Sequence, residues 1–356
     1  MIPSIGSLMT LEDPASGIPS QMHRELILRL QEYLLQPGAP NERLYPGWLA
    51  KKLEVNERDL LTALAYGVRS GIVELHWEAY CPFCGLMPEE FRSLKEAHGQ
   101  IQCAPCETEF DVHLDRDVRV TFSAAQKIRR SRNGEIIPMP ADVGQSPTRG
   151  LDLLLVPAFW ELFSGDAPAS DESLRIERVA LLFTDLKGST AMYAERGDPR
   201  AYHLVRDHFA ILGKCIERNG GSLVKTIGDA VMASFASSID AVQAAFEAQA
   251  ELAARSGDMD DKLILKAGVH AGACLAVTLN DRLDFFGGAV NTAARVQGLS
   301  CGNDVMVSDE VLREMTSEAF ESRDFHVVRS FEASLRGLPE LVRIHRLVVA
   351  QLATGS

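Results

Sequence analysis

The sequence predicts an α+β protein whose carboxy-terminal half is a ferredoxin-like βαββαβ sheet. From Leu174 onward, apolar strand-like runs alternate with amphipathic stretches of helical length, in the order strand, helix, hairpin, helix, strand. The first half holds short helical segments and two Cys-x-x-Cys pairs. Because 356 residues exceed one ordinary core, we expect two domains joined by connecting segments.

The composition argues against several classes of protein. The formal net charge of -13 disfavours a general nucleic-acid binder, because nonspecific affinity for phosphates comes from Lys and Arg. The N-terminus lacks the regions of a secretory signal, and the longest apolar run, LLLVPAFW at 153–160, is far shorter than the roughly 20 residues of a membrane span. We therefore expect a cytoplasmic protein without a membrane segment.

Residues 1–20 are predicted to be a flexible N-terminus, and residues 21–80 a helical, winged-helix-like module. Its third helical segment, NERDLLTALAYGVRSG, has Asn56 as an N-cap and apolar residues along one face. The following IVEL would begin the wing. Two arginines in this segment are offset by two acidic residues, so a structural or partner-docking role is favoured over DNA binding.

Four cysteines follow as CPFC (Cys81, Cys84) and CAPC (Cys103, Cys106), with 18 residues between the pairs. Two such knuckles can place four thiolates around one Zn²⁺, as in a zinc ribbon, so residues 81–130 are predicted to be a zinc-ribbon-like module with a structural ion. A redox pair or a disulfide is the alternative, and neither requires two matched knuckles.

Residues 131–173 read as a linker, because they are rich in Gly, Pro and Ser and carry one short apolar helix, LDLLLVPAFWELF. The second domain is predicted over residues 174–350. Its expected elements are a strand at 175–184, a helix near 198–218, the hairpin GSLVKTIG and AVMASF, a helix at 238–255, strands within 263–278 and a helix from about Gly287.

Two carboxylates stand at strand ends in this domain. Asp185 follows the apolar run LLFT, and Asp229 lies in the turn of the KTIGDAVMASF hairpin. If the strand and the hairpin are neighbours, both carboxylates emerge at one rim and can share Mg²⁺, which prefers oxygen ligands. A helix N-cap and a β-turn are the structural alternatives for either residue taken alone.

The segment LKGST, directly after Asp185, reads as a glycine-containing turn into a helix. Free backbone N–H groups at such a turn can cradle phosphate. The candidate substrate-binding residues here are Leu186, Gly188, Ser189 and Thr190.

A third segment, DFFGGAVNTAARV, places Asn291 and Arg295 four residues apart and therefore on one face of a helix. Together they offer a neutral donor and a permanent cation to one point. On its own, an Asn and an Arg four residues apart on a helix would usually be solvated surface residues.

The segments FTDLKGST, VKTIGDAVMASF and DFFGGAVNTAARV together resemble the class III nucleotidyl cyclase catalytic domain, that of adenylate and guanylate cyclases, over about residues 174–348. The resemblance implies that Asp185 and Asp229, with the backbone of Leu186, bind two Mg²⁺ or Mn²⁺ ions. It implies further that Arg295 stabilises charge at the α-phosphate and that Asn291 orients the ribose. Arg336 occupies the place of a basic triphosphate ligand that is more often Lys.

Lys225 and Asp284 occupy the two base-selecting positions of that family, and the Lys/Asp pair resembles the adenine-specific choice. A donor from Lys225 and an acceptor from Asp284 fit the N1 acceptor and the exocyclic amine of adenine, whereas guanine reverses this polarity. Two residues leave GTP or a pyrimidine nucleotide open as substrates.

The family geometry implies a homodimer with shared active sites, in which the metal aspartates of one subunit meet the remaining site residues of the other. The leading hypothesis is thus an adenylate cyclase that makes 3′,5′-cyclic AMP and pyrophosphate from ATP. The alternatives are a cyclase with another base preference and a non-enzymatic, nucleotide-sensing zinc-ribbon regulator. The N-terminal region is expected to respond to an unknown regulatory ligand or protein.

Overall fold

The computed structural model describes residues 18–96, 99–139, 147–163, 173–189, 198–255, 263–279, 282–315, 320 and 322–349. All but the last three residues of the predicted flexible N-terminus lie outside these ranges, as does Thr190. The chain divides into two compact units, unit 1 (Met1–Ala167) and unit 2 (Pro168–Ser356). Among the helices within the described ranges, not one combines the length and the apolar character that crossing a bilayer requires.

Unit 1 is built of short helices and small antiparallel sheets. Its helices are α1 (Gln21–Leu35), α2 (Pro46–Lys52), α3 (Glu57–Arg69), α4 (Gln126–Ser131), α5 (Gly150–Leu154) and α6 (Pro157–Phe163). Its strands are β1 (Val73–Ala79), β2 (Glu89–Phe91), β3 (Gln100–Cys103), β4 (Thr108–Asp111) and β5 (Val118–Ala124). Strand β1 pairs with β2 on one side and with β5 on the other, whereas β3 and β4 form a separate hairpin.

Helix α3 begins where the sequence predicts, because the Asn56 side chain accepts a hydrogen bond of 2.8 Å from the Arg58 N–H. Along α3 only Arg69 is exposed, and the other residues are buried or half-buried. A helix that reads DNA must present a face to the major groove. This enclosure supports the structural role that the charge balance favours for α3.

Helices α5 and α6, which the sequence assigns to a linker, pack inside unit 1. Phe159 of α6 lies edge-on to the buried Trp77 of β1, with ring centroids 5.8 Å apart. The Arg58 side chain donates to the carbonyl of Leu155 over 2.8 Å. Gly150 begins α5 and Pro157 begins α6, but the sequence pattern does not show which core their apolar side chains join.

Unit 2 contains one large sheet with helices on both of its faces. Its strands are β6 (Leu174–Leu186), β7 (Ser222–Ile227), β8 (Ala230–Phe235), β9 (Leu265–Leu279), β10 (Arg282–Phe286), β11 (Val305–Ser308), β12 (Phe325–Ser334) and β13 (Leu341–Val349). Its helices are α7 (Asp198–Arg218), α8 (Ser238–Arg255), α9 (Gly288–Gly298) and α10 (Asp309–Glu314).

The strand order is β12-β13-β11-β9-β6-β8-β7, with β10 paired to β9. The four strands β9, β6, β8 and β7 are antiparallel neighbours, and the chain runs β6-α7-β7-β8-α8-β9. This is the ferredoxin-like βαββαβ arrangement that the sequence predicts. Strands β10 to β13 extend that sheet beyond the predicted motif.

Strand β9 shows how the two faces of the sheet differ. Ala267, Val269 and Ala271 lie in the apolar core with buried residues of α7 and α8. Gly268 and Gly272 point to the opposite face, because side-chain directions alternate along a strand. There α9 packs directly on the glycines, so the sheet separates its main core from the face that carries α9.

Candidate functional site

Asp185 and Asp229 lie beside one another at the end of the central strands. Asp185 is the penultimate residue of β6, and Asp229 is the second residue of the two-residue turn between β7 and β8. Gly228, the first residue of that turn, has φ of +64°, which glycine adopts without strain and which a type II′ hairpin turn requires. The tight turn brings Asp229 back towards β6, where its Oδ2 accepts a hydrogen bond of 3.3 Å from the Leu186 N–H.

The electrostatics of this pair favour a bound cation. Burial raises the pKa of Asp185, and the negative charge of Asp229 raises it further. Two carboxylates that face one another in a half-buried place repel when both are ionised. An oxygen donor set of this kind suits Mg²⁺ or Mn²⁺, so the residues present fit the divalent ions that the sequence implies.

Lys266 is a site residue that the sequence reasoning missed. It is the register partner of Asp185 across β6 and β9, and its positive charge lowers the pKa of Asp185 against the two raising effects. The sequence carries no local signal for this contact, because 80 residues of chain separate two positions that become direct neighbours only after the sheet forms.

Lys225 and Asp284, the two predicted base-selecting residues, contact each other. The Lys225 Nζ lies 2.8 Å from one carboxylate oxygen of Asp284 and 2.6 Å from the other. Asp284 is only 4% exposed and accepts a further hydrogen bond from the Phe285 N–H. Strand β10 supplies Asp284 and edge strand β7 supplies Lys225, and the aromatic ring of Phe286 lies 5.8 Å from the Lys225 Nζ.

Helix α9 carries Asn291, which is exposed, and Arg295, which is half-buried. The helix reaches this position because Gly268 lacks a side chain: a Cβ there would lie 2.3 Å from the Gln297 backbone nitrogen. The guanidinium of Arg295 lies against Gly337, where a Cβ would be 3.4 Å from its Nη2. Arg336, exposed and next to Gly337, therefore shares the neighbourhood of Arg295.

The predicted phosphate cradle is described only in part. Leu186 is buried, Gly188 has φ of +74° with open space where a Cβ would be, and Ser189 is half-buried. Thr190 lies outside the described residues. The positive φ of Gly188 agrees with the sharp turn predicted from LKGST.

The candidate residues fall into two groups by the roles that the sequence resemblance implies. Asp185 and Asp229, with Lys266 beside them, form the first, whereas Lys225, Asp284, Asn291 and Arg295 form the second. Within the second group Lys225 pairs with Asp284, and across the part of the chain that the structure describes no hydrogen bond or ion pair connects the two groups.

Unit 1 brings the four cysteines into one cluster. The Sγ atoms of Cys81 and Cys106 are 3.6 Å apart, as are those of Cys84 and Cys103, and all four lie within 4.8 Å of one another. A tetrahedral Zn²⁺ with sulfurs at 2.3 Å would separate them by about 3.8 Å. Hydrogen bonds from Thr108 lower the pKa of the Cys106 thiol to about 6, whereas burial raises the pKa of the Cys103 thiol to about 12. A bound metal would deprotonate both thiols.

The cluster sits on an insertion between two paired strands. Cys81 and Cys84 follow β1, and Cys103 and Cys106 lie at the turn of the β3–β4 hairpin. Both segments fall between β1 and β5, which pair with each other over their full length. The geometry therefore holds two cysteine knuckles face to face, and the donor set fits zinc.

Comparison with known proteins identifies the family of unit 2. The model of the adenylate and guanylate cyclase catalytic domain matches residues 172–346, and that of a family of unknown function (DUF5939) matches residues 41–139. An adenylate cyclase of Mycosarcoma maydis is 32% identical over 161 residues, or 39% of this chain and 6% of that protein. An adenylate cyclase of Anabaena cylindrica is 28% identical over 179 residues, or 44% of this chain and 36% of that protein.

The chain thus spans well under half the length of these two relatives. Among solved structures, the adenylyl cyclase CyaB from P. aeruginosa has a TM-score of 0.44 at 20% identity, covering 50% of this chain and 97% of that one. The family match covers the segments that carry the aspartate pair, the Lys225–Asp284 pair and α9. The domain formed by residues 172–346 belongs to the class III nucleotidyl cyclases, the adenylate and guanylate cyclase catalytic domain family.

Proposed function

We propose that this protein is an adenylate cyclase that converts ATP to 3′,5′-cyclic AMP and pyrophosphate. In this reaction the ribose 3′-oxygen bonds to the α-phosphorus, the bond from that phosphorus to the bridging oxygen of the β-phosphate breaks, and the hydroxyl proton is released. The observation that carries the proposal is the adjacent pair Asp185 and Asp229 inside a cyclase-family domain.

Asp185 and Asp229, with the backbone of Leu186, would hold two Mg²⁺ or Mn²⁺ ions. When bound, such ions polarise phosphate oxygens and help to ionise the attacking hydroxyl. Lys266 adds a positive charge beside the aspartate pair, which favours a polyanionic substrate at this rim. The turn at Gly188 and Ser189 would direct backbone N–H groups to the triphosphate.

The second group of residues would orient the nucleotide. Arg295 would stabilise the charge that develops at the α-phosphate, with Arg336 as a nearby cation for the triphosphate. Asn291 would hold the ribose. Lys225 and Asp284 would read the purine edge, where the donor and acceptor that now pair with each other match the N1 and amine of adenine.

We infer that the active site is shared between two copies of the chain. The family match of residues 172–346 supports this, because the resemblance to that family implies a site in which the metal aspartates of one subunit meet the nucleotide-orienting residues of the other. A two-fold homodimer would contain two complete sites.

We also infer a structural Zn²⁺ on the four-cysteine cluster of unit 1, supported by sulfur separations near those of a tetrahedral site. Unit 1 would act as the regulatory part of the protein and respond to a ligand or a protein. Nucleic acid is disfavoured as that partner by the net charge of -13 and by the enclosure of α3.

The activity is tested by incubating the purified protein with each of the four nucleoside triphosphates and Mg²⁺ or Mn²⁺, and by identifying the products by mass spectrometry. We expect 3′,5′-cyclic AMP as the main product. A faster conversion of GTP or of a pyrimidine nucleotide would overturn the base assignment, and no cyclic product from any of the four would overturn the enzymatic function.

A further inference from the structure

His208 of α7 contacts the turn that carries Asp229. Its Nε2 lies 3.2 Å from the backbone carbonyl oxygen of Asp229. The side chain is fully buried, and its ring packs on that of Phe209 with centroids 5.3 Å apart. The sequence reasoning gave no role to this residue.

His208 occupies a place where an apolar side chain would cost less. Val205, Leu212 and Cys215 lie on the same stripe of α7, and all three are buried in the main core of unit 2. Burying a polar ring among such neighbours is unfavourable unless it makes a hydrogen bond. Its Nδ1 is itself buried and has no hydrogen-bond partner among the residues that the structure describes.

The proton of the ring is on Nε2. An imidazole nitrogen donates only when it carries a hydrogen, and a carbonyl oxygen only accepts, so the hydrogen bond to the Asp229 carbonyl requires the proton at Nε2. The buried His208 ring therefore donates a hydrogen bond to the backbone carbonyl of Asp229 in the turn.

We propose that His208 is a positioning residue that fixes the position of the Asp229 carboxylate relative to Asp185 for metal binding. Asp229 is held at two points: His208 holds its backbone carbonyl, and the Leu186 N–H holds its carboxylate. Together the two bonds set where this carboxylate stands relative to Asp185. This inference rests on the proposed function, in which that pair binds divalent ions.

The test compares His208→Leu, which removes the donor at similar size, with His208→Gln, whose side-chain amide N–H can reach the position of Nε2. His208→Asn, whose amide is too short, is the matched control. Binding of Mn²⁺ is measured by electron paramagnetic resonance in the presence of the non-reacting α,β-methylene analogue of ATP. Asp185→Asn verifies that the signal reports the aspartate site.

We expect the Kd for Mn²⁺ to rise about tenfold in His208→Leu and in His208→Asn, as for the loss of one hydrogen bond, and to stay within about twofold in His208→Gln. We also expect kcat to recover at saturating Mn²⁺, because the defect lies in metal binding. A merely structural role would lower the melting temperature without this dependence on metal.

Equal Kd values for wild type, His208→Leu and His208→Asn would overturn the positioning role. If His208→Leu does not fold, the Gln and Asn variants decide the question in the same way. A wild type that forms no cyclic product, but whose Mn²⁺ affinity falls in His208→Asn and in Asp185→Asn, would overturn the proposed function and retain the positioning role.

Discussion

Replacing Gly268 by alanine tests whether the close packing of α9 on β9 positions Asn291 and Arg295, the proposed catalytic residues. A Cβ at this position would lie 2.3 Å from the backbone nitrogen of Gln297 and 2.4 Å from its Cα. Both are backbone atoms, so no side chain can rotate to relieve the overlap. The helix as a whole must withdraw from the strand.

The required displacement follows from these distances. Restoring an ordinary contact of about 3.5 Å moves the backbone of α9 by roughly 1 Å. Asn291 and Arg295 move with it, and a misplacement of that size costs about 100-fold in rate. Overpacking of this kind destabilises a domain by about 1–3 kcal/mol, so the variant is expected to fold.

The assay measures kcat for cyclic AMP formation together with the melting temperature. Gly298→Ala is the matched control, because it lies on the same helix and a Cβ there meets no atom within 4 Å. Gly272→Ala is expected to show a smaller loss, since its Cβ would lie 3.2 Å from a side-chain atom of Ala289. If folded Gly268→Ala kept the kcat of wild type, the positioning role of the contact would be refuted.

Two further predictions concern the other sites. Cys84→Ser is expected to lower the zinc content from about one ion per chain and to reduce the melting temperature of unit 1, because structural zinc contributes folding free energy. Cys301→Ser, outside the cluster, is the control. An unchanged zinc content of Cys84→Ser by elemental analysis would contradict the assignment. Lys225→Ala is expected to reduce the preference for ATP over GTP, measured as the ratio of kcat/KM values, by about 10- to 150-fold, since a charged hydrogen bond to the base is lost. The exposed Lys214→Ala should leave that ratio unchanged, and a preserved ratio in Lys225→Ala would argue against base reading by this residue.

The ferredoxin-like part of the sheet of unit 2, strands β6 to β9, was predictable because its buried strands are apolar runs in the sequence. The apolar run before Asp185 gives a strand buried over most of its length, and the Gly-Asp turn gives a tight two-residue hairpin. The order of elements then determines which strands are neighbours. Placing Asp185 and Asp229 together required only local patterns and this topology.

Lys266 and His208 could not be found in the same way. Lys266 meets Asp185 through the register of two strands that are distant in sequence, and His208 meets Asp229 through the packing of a helix on a hairpin. Neither contact leaves a spacing or a composition signal, because both depend on three-dimensional placement. A lone histidine on an apolar helical stripe reads as ordinary core.

In unit 1 the cysteine spacing predicted the cluster, because two paired knuckles have few other uses. The packing of α5 and α6 was not predicted, since an apolar helix beside Gly-rich and Pro-rich segments can dock on many surfaces. The contact between Trp77 and Phe159 that places this helix pair in unit 1 involves residues far apart in sequence.

Mixing two inactive variants tests most directly whether the assigned residues form one cyclase site from two subunits. Asp185→Ala removes a proposed metal ligand and Arg295→Ala removes the cation proposed to contact the α-phosphate, so each homodimer should be inactive. Equal mixing with subunit exchange gives about half heterodimers with one intact site each, and therefore about a quarter of the wild-type rate of cyclic AMP formation. A mixture that stays inactive while native mass spectrometry shows the heterodimer would contradict the shared site, and activity in either variant alone would contradict the role of its residue.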